Sequence, residues 1–497
     1  MFQLNERLFT AEVFFCGVFS LWMYSEFLFE NKLKAMKLQN VNENKQARLG
    51  NAPLGKLLFT LAVPTITAQL VNLLYNVVDR MYVGRIPGSG SLALASLGVC
   101  VPIIQILLAF SVLVGQGASA RAGIAMGRND YEEAGVLLGN SFVILTVISA
   151  VLCSILLIFR KPVLMAFGAS VNTIDLAASY LGIYLLGTFF VLWVNGLNLF
   201  ITVQGFTVTS MLTVLIGCVA NIILDPIFIY GFNMGVNGAA IATVISQGVS
   251  AVWVIAFLCS KKSSLRLSLA KMKLNFKLMG ITLGLGLSPF IMYATESLVL
   301  IVYNSGMQLY GNDMYVAAMS VVFSIHMIIF LPISGLCAGA VPIISFNYGA
   351  KNFSRVKKTF RLLLICCLGF AFATELPIEL FPKAFFRLFS NDSSLLELGS
   401  APLRIYVAAS ILMSVQNAVQ NTFISIGEAR SSIFIALLRK IVLLVPLALI
   451  LPKIGGLGVW GLFIAEPISD TISATTSAFI FRRKSRVLLV EAKLSEA

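Results

Sequence analysis

Apolar residues run through this chain in long blocks broken by short polar stretches. Val136 to Phe159 is 24 residues without a charge, longer than the roughly 20 needed to cross a bilayer core. Blocks of this kind predict helices near 55–84, 92–117, 136–159, 178–204, 207–230 and 236–259, and a second set near 278–304, 314–345, 360–381, 404–426, 431–452 and 457–481. Several are long enough to tilt or bend. The reading is an all-α membrane protein of twelve transmembrane helices. Phe9 to Phe29 is also apolar, but it contains Glu12 and Glu26 and no small-residue cleavage site follows, which speaks against a signal peptide. It reads as an interfacial helix or as an upstream start ahead of Met36; a thirteenth span, placing the N-terminus outside, is the alternative.

Composition agrees with the pattern. Of 497 residues, 58% are hydrophobic and 12% charged, where a soluble protein carries about 25% charged. The net charge of +14 sits in short loops and not in a basic domain, which excludes a nucleic-acid partner and points to the lipid bilayer. Twenty-five Lys and Arg fall on the side of the 31–56, 260–277 and 346–361 segments and the tail from Arg482, against seven on the other side. The positive-inside bias then puts both termini in the cytoplasm of a bacterial inner (plasma) membrane. Eight cysteines lie in apolar segments without metal-ligand spacing and read as packing residues.

Landmarks repeat along the chain. Gly117-Ala118, expected to open a loop running to Gly127-Arg128-Asn129, recurs 222 residues on as Gly339-Ala340 and the loop to Gly349-Ala350-Lys351-Asn352. Gly205 recurs as Gly427, Gly235 as Gly458, and Pro64 as Pro289 at offsets of 222 to 225. Six spans per repeat give two parallel-repeat six-helix lobes related about the membrane normal, an architecture common in transporters. The expected organisation is an extension over 1–53, an N-lobe over 54–270, a C-lobe over 271–485 and a cytoplasmic tail over 486–497, working as a monomer.

Charges inside spans cost about 2.5–3.5 kcal/mol each on insertion scales and call for a reason. Asp79 in span 1, Asn221 and Asp225 in span 5 and Thr243 in span 6 share one expected depth, with Asn221 and Asp225 on one helix face. Together they form an oxygen-rich pocket suited to H⁺ or Na⁺. Asn72, Tyr75, Asn76 and Asp79 form a polar stripe on span 1, and Tyr180 and Tyr184 are candidate donors to Asp79. Glu296, Glu466 and Asp470 form a second set, for a cationic substrate or another proton. Arg439 is expected to pair with an acid across the bundle, Lys440 to snorkel to the surface, and His326 to be a hydrogen-bonded core residue. One His and scattered Cys supply no enzyme chemistry and no cofactor site. No G-x-x-x-x-G-K-[ST] loop is present to bind ATP.

The chain resembles the multidrug and toxic-compound extrusion (MATE) transporters, in their DinF-type branch, over roughly residues 52–485. The likeness is carried by Pro64-Thr65, Leu74-Tyr75-Asn76-Val77-Val78-Asp79, Val83-Gly84-Arg85, Gly117-Ala118, Asn221-Ile222-Ile223-Leu224-Asp225-Pro226, Gly238-Ala239-Ala240-Ile241-Ala242-Thr243 and Asn347-Tyr348-Gly349-Ala350. It implies an antiporter exporting small amphipathic, often cationic, organic compounds in exchange for H⁺ or Na⁺. Asp79, Asn221, Asp225 and Thr243 match the N-lobe cation positions, and Pro64 a proline where span 1 bends. Val203-Gln204 and Phe206 stand where the family usually has an Arg before, and often an acid after, the glycine that follows span 4. A flippase for a lipid-linked saccharide or related precursor is the alternative function.

Overall fold

A peptide group in hydrocarbon finds no water, so a chain with such blocks closes its hydrogen bonds within helices. The computed structural model describes residues 45–87, 90–389 and 393–496. Among them are helices and no strand. Lys45–Asn51 is a short helix in a unit of its own, and the expectations for residues 1–35 lie outside the described residues.

From Ala52 onward the chain is one unit of twelve spans. Span 1 is Leu54–Gly84, span 2 Gly90–Gly127, span 3 Tyr131–Ala166, span 4 Ile174–Leu186 with Thr188–Val203, span 5 Thr207–Pro226 and span 6 Val236–Cys259. Span 7 is Phe276–Tyr310, span 8 Asp313–Gly349, span 9 Phe353–Leu380 and span 10 Ser393–Val407 with Ser410–Ser425. Span 11 runs from Ala429–Leu437 through a π-helical stretch, Leu438–Leu444, into Val445–Ile450, and span 12 is Val459–Glu496. Among the described residues nine helices are long and apolar enough to cross a membrane, or eleven with each bent pair counted as one span. Span 12 is the more polar exception, carrying Glu466, Asp470 and a run of Ser and Thr.

The structure corrects the boundaries. Gly117-Ala118 and Gly339-Ala340 do not begin loops; they lie inside spans 2 and 8, which run on to Gly127 and Gly349. An apolar run marks the depth of hydrocarbon, whereas a helix continues wherever its own hydrogen bonds close. Span 12 likewise continues to Glu496 through the region expected to be a tail. The true turns come twelve residues after Gly117 and Gly339, where Asn129 and Lys351 take φ of 62° and 59°. Asp130 and Asn352 follow as N-caps, accepting from the backbone N–H groups of Glu133 at 2.8 Å and Arg355 at 3.1 Å. Gly205 and Gly427 both end their spans at φ +84°, and Gly235 and Gly458 precede spans 6 and 12 at +55° and +51°. Left-handed backbone favours glycine, and here it recurs at the repeat offset.

Spans 4 and 10 are broken by bends of 55° and 40°. The second break leaves the N–H of Ile411 without a helical partner, and the buried carboxylate of Glu375 on span 9 accepts from it at 2.8 Å.

The lobes meet where spans 1 and 2 pack on spans 8 and 7. Glycines let these backbones touch. A Cβ on Gly286 would lie 1.7 Å from the carbonyl oxygen of Leu113, and one on Gly117 2.0 Å from that of Thr282. A Cβ on Gly339 would lie 2.5 Å from Ala62 Cα, and one on Gly349 2.0 Å from the carbonyl of Ile124. All of these approaches fall in the halves of the spans nearest the 6–7 linker, an end called the base below.

Candidate functional site

The N-lobe pocket depends on how span 5 ends. Pro226 closes the α-helix, and Ile227–Gly231 continues as a π-helical turn. Gly238 lets span 6 rest on that turn, for a Cβ there would stand 2.7 Å from the Phe228 carbonyl. Tyr230 Oη donates to the carbonyl of Tyr82 at 2.6 Å, tying the same turn to span 1. Ser179 Oγ donates to Asn237 Oδ1 at 2.7 Å, tying span 4 to span 6. Four helices are thus fixed around one polar level.

At that level the structure brings Asp79, Asn221, Asp225 and Thr243 together. Asp225 and Asn221 are fully buried and Thr243 nearly so. With its nitrogen toward the carboxyl, the Asn221 amide donates to Asp225 Oδ2 at 2.6 Å and accepts from the Thr243 N–H at 3.3 Å. The opposite orientation would face an amide oxygen to a carboxylate. The carboxyl of Asp79 reaches across from span 1 to lie close to that of Asp225, and its buried Oδ1 has no hydrogen-bond partner. Tyr75 Oη meets Thr243. Two carboxyls close together in a low-dielectric interior repel unless a proton or cation lies between them, so the arrangement can take up and release one.

The supporting residues divide. Tyr75 belongs to the pocket; Asn72 and Asn76 are exposed on span 1, and Asn76 Nδ2 donates to its own helix, to the Asn72 carbonyl at 2.6 Å. Tyr180 and Tyr184 are buried and stacked with ring centroids 6.2 Å apart. Asp79 Oδ1 accepts no hydrogen bond from either ring. Pro64 is buried within span 1, which stays a continuous helix across it.

The C-lobe acids are not free. Arg439 Nε donates to Asp470 Oδ1 at 2.7 Å and Nη2 to Glu466 Oε1 at 3.1 Å, all three side chains at most 4% exposed. Lys440 Nζ donates to Glu296 Oε2 at 2.9 Å. Lys440 therefore does not snorkel; it turns inward because Glu296 on span 7 faces it. Both cations sit in the π-helical stretch of span 11, where the widened turn places consecutive residues toward spans 7 and 12. Tyr303 Oη donates to Glu466 Oε2 at 3.3 Å. His326 is buried against Tyr406 and Phe330, and its Nδ1 has no hydrogen-bond partner. The pairing of Glu296 with Lys440, 144 residues apart, left no local signal in the sequence.

Gln204, standing where an Arg is usual, is fully buried. Its Oε1 accepts from Ser263 Oγ at 3.0 Å and from the N–H groups of Ser264 and Leu265 at 2.8 and 3.0 Å, while Nε2 donates to the Phe200 carbonyl at 2.8 Å. It clamps the 6–7 linker to span 4.

The profile of the family described as MatE matches residues 64–227 and again 289–450, the same repeat the glycines mark. This chain belongs to the MatE family. Among curated relatives, this MatE protein is 26% identical over 445 residues to "Multidrug export protein MepA" of Staphylococcus haemolyticus (strain JCSC1435), covering 89% of this chain and 96% of that one. It is 24% identical over 439 residues to the protein of the same name from Staphylococcus aureus (strain N315), covering 88% and 96%. Its fold matches the crystal structures titled "MATE in the bent conformation" (TM-score 0.84, 24% identity, 90% and 99% of the two chains) and "MATE in the straight conformation" (0.83, 24%, 89% and 99%). The twelve-helix, two-lobe membrane fold is thereby shown.

Proposed function

We propose that this MatE protein is a cation-coupled antiporter of the DinF type, exporting small amphipathic and often cationic organic compounds in exchange for H⁺ or Na⁺. The base faces the cytoplasm, on the inner side of the plasma membrane. The observation that carries the reading is the approach of Asp79 to Asp225, joined by Asn221 and Thr243, inside a lobe packed against a second one. A proton or Na⁺ held between the two carboxyls binds one arrangement of spans 1, 5 and 6 better than the other. That difference in affinity is what lets an ion gradient drive a conformational cycle.

Pro64 removes one hydrogen bond from span 1 and weakens it there, so the outer half bearing Asp79 can bend against the inner half. The Glu296, Glu466 and Asp470 set is a supporting candidate, held in this conformation by Lys440 and Arg439. The same pairing weakens the flippase reading: Arg439 and Lys440, inside span 11, are both engaged by carboxylates and offer their charge to no pyrophosphate. The test is dye movement in proteoliposomes under an imposed proton or sodium gradient. Uptake that collapses with one gradient and not the other identifies the coupling ion, and movement unaffected by either gradient overturns the proposal.

A further inference from the structure

We infer that Thr65 is a hydroxyl latch that holds the base closed against the parting of the lobes, a positioning residue of the transport cycle; the inference rests on the conformational cycle proposed above. Thr65 is the residue after Pro64 and is 8% exposed. Its Oγ1 lies 2.7 Å from the carbonyl of Gly335 on span 8, in the other lobe. The same atom lies 2.8 Å from the carbonyl of Ala62 and 3.3 Å from that of Leu61, both on its own helix. A threonine hydroxyl has one proton to donate, so these acceptors compete for it.

Closed and open bases then assign that proton differently. With the lobes together, Gly335 and Gly339 bring the span 8 backbone against Ile66 and Ala62, a Cβ on either glycine falling 2.7 or 2.5 Å from those Cα atoms. The proton bridges the lobes. When the lobes part, it falls back on the Ala62 or Leu61 carbonyl, the local bond a helical threonine readily makes. No buried donor is orphaned in either state. The closed base is favoured by the amount by which the bridging bond, at 2.7 Å the shortest of the three, exceeds the local one, and the device sits beside the weak point of the helix that carries Asp79.

The repeat shows that the latch is not a general need of the packing. At the equivalent place in span 7, Pro289 is followed by Phe290, which packs on Phe110 of span 2 with centroids 5.1 Å apart. The neighbouring Ser288 donates to the Ser432 carbonyl at 3.0 Å inside its own lobe. The span 2–span 7 crossing carries instead a longer hydroxyl contact, Ser297 Oγ to the Pro102 carbonyl at 3.5 Å, eight residues beyond Pro289, so a hydroxyl next to the proline bridges the lobes on the side of the acid pair.

The test compares Thr65→Val, which keeps the shape and removes the hydroxyl, with Thr65→Ser, which keeps the hydroxyl. Spin labels go on the exposed base positions Arg128→Cys and Lys357→Cys, in a background whose native cysteines are replaced. Electron–electron distance measurements in lipid nanodiscs then read the fraction of open base. Thr65→Val is expected to raise the open-to-closed ratio about threefold, less than the factor of about five carried by one ordinary hydrogen bond because the open state keeps the local one, and Thr65→Ser to stay within about 1.5-fold of the parent. An unchanged ratio in Thr65→Val, or a Thr65→Ser variant that opens as far as Thr65→Val, overturns the latch. If the parent moves no dye under any gradient but its distances still respond to Thr65→Val, the transport reading falls and the latch stands. If dye moves and the distances do not respond, the latch alone falls.

Discussion

Replacing Arg439 by Met should destabilise the C-lobe more than most single changes can. Arg439 is the only cation paired to Glu466 and Asp470 among the described residues, and those carboxylates are 4% and 2% exposed. Removing it leaves two buried acids held only by Tyr303 on one oxygen of Glu466. Breaking a buried pair from one side costs about 3–5 kcal/mol because the remaining charge has neither water nor partner. For a cooperative unit of lobe size that lowers the unfolding midpoint by roughly 6–20 °C. Arg439→Met combined with Glu466→Gln and Asp470→Asn removes every charge of the cluster and should recover most of the loss, since a buried ion pair contributes little over neutral packing. The assay is thermal unfolding in detergent followed by a thiol-reactive dye, with the buried Cys337 and Cys367 of the C-lobe as reporters. A single variant within about 2 °C of the parent, or a triple variant no better than the single, would refute the reasoning and free these acids for proton exchange.

Asp79→Asn and Asp225→Asn should each abolish gradient-driven efflux while leaving membrane insertion intact; wild-type dye rates in both would remove the N-lobe site from the mechanism. Gln204→Leu leaves the N–H groups of Ser264 and Leu265 without their common acceptor, while Ser263 Oγ keeps the Leu265 carbonyl; the buried Leu265 N–H accounts for a loss of about 1–3 kcal/mol. Limited proteolysis should therefore cut the 260–275 linker faster, and an unchanged cutting rate would mean the clamp is not holding it. Reporter fusions after residue 486 and at residue 170 should be active on opposite sides of the membrane, and activity on the same side would refute the orientation.

Long charge-free runs and their 222- to 225-residue offset are properties of composition and order, so the membrane class, the number of spans and the duplication could be read directly from the chain. The acid pocket was legible for a related reason. Asp79, Asn221, Asp225 and Thr243 are costly in hydrocarbon, so a shared depth implied a shared cavity. Helix ends were not legible, because hydrophobicity reports lipid depth while the helix of span 2 continues to Gly127 on its own hydrogen bonds. Nor were the roles of particular partners. Glu296 and Lys440 are ordinary charges until the π-helical stretch of span 11 turns one toward the other. Gly117 and Gly339 looked like turn residues until the packed lobes showed carbonyl and Cα atoms where a side chain would stand. These contacts depend on the angle and spacing of helices far apart in sequence, which no local pattern encodes. That is why the tertiary structure alone decided which polar groups are paired, which are left open and where the two lobes touch.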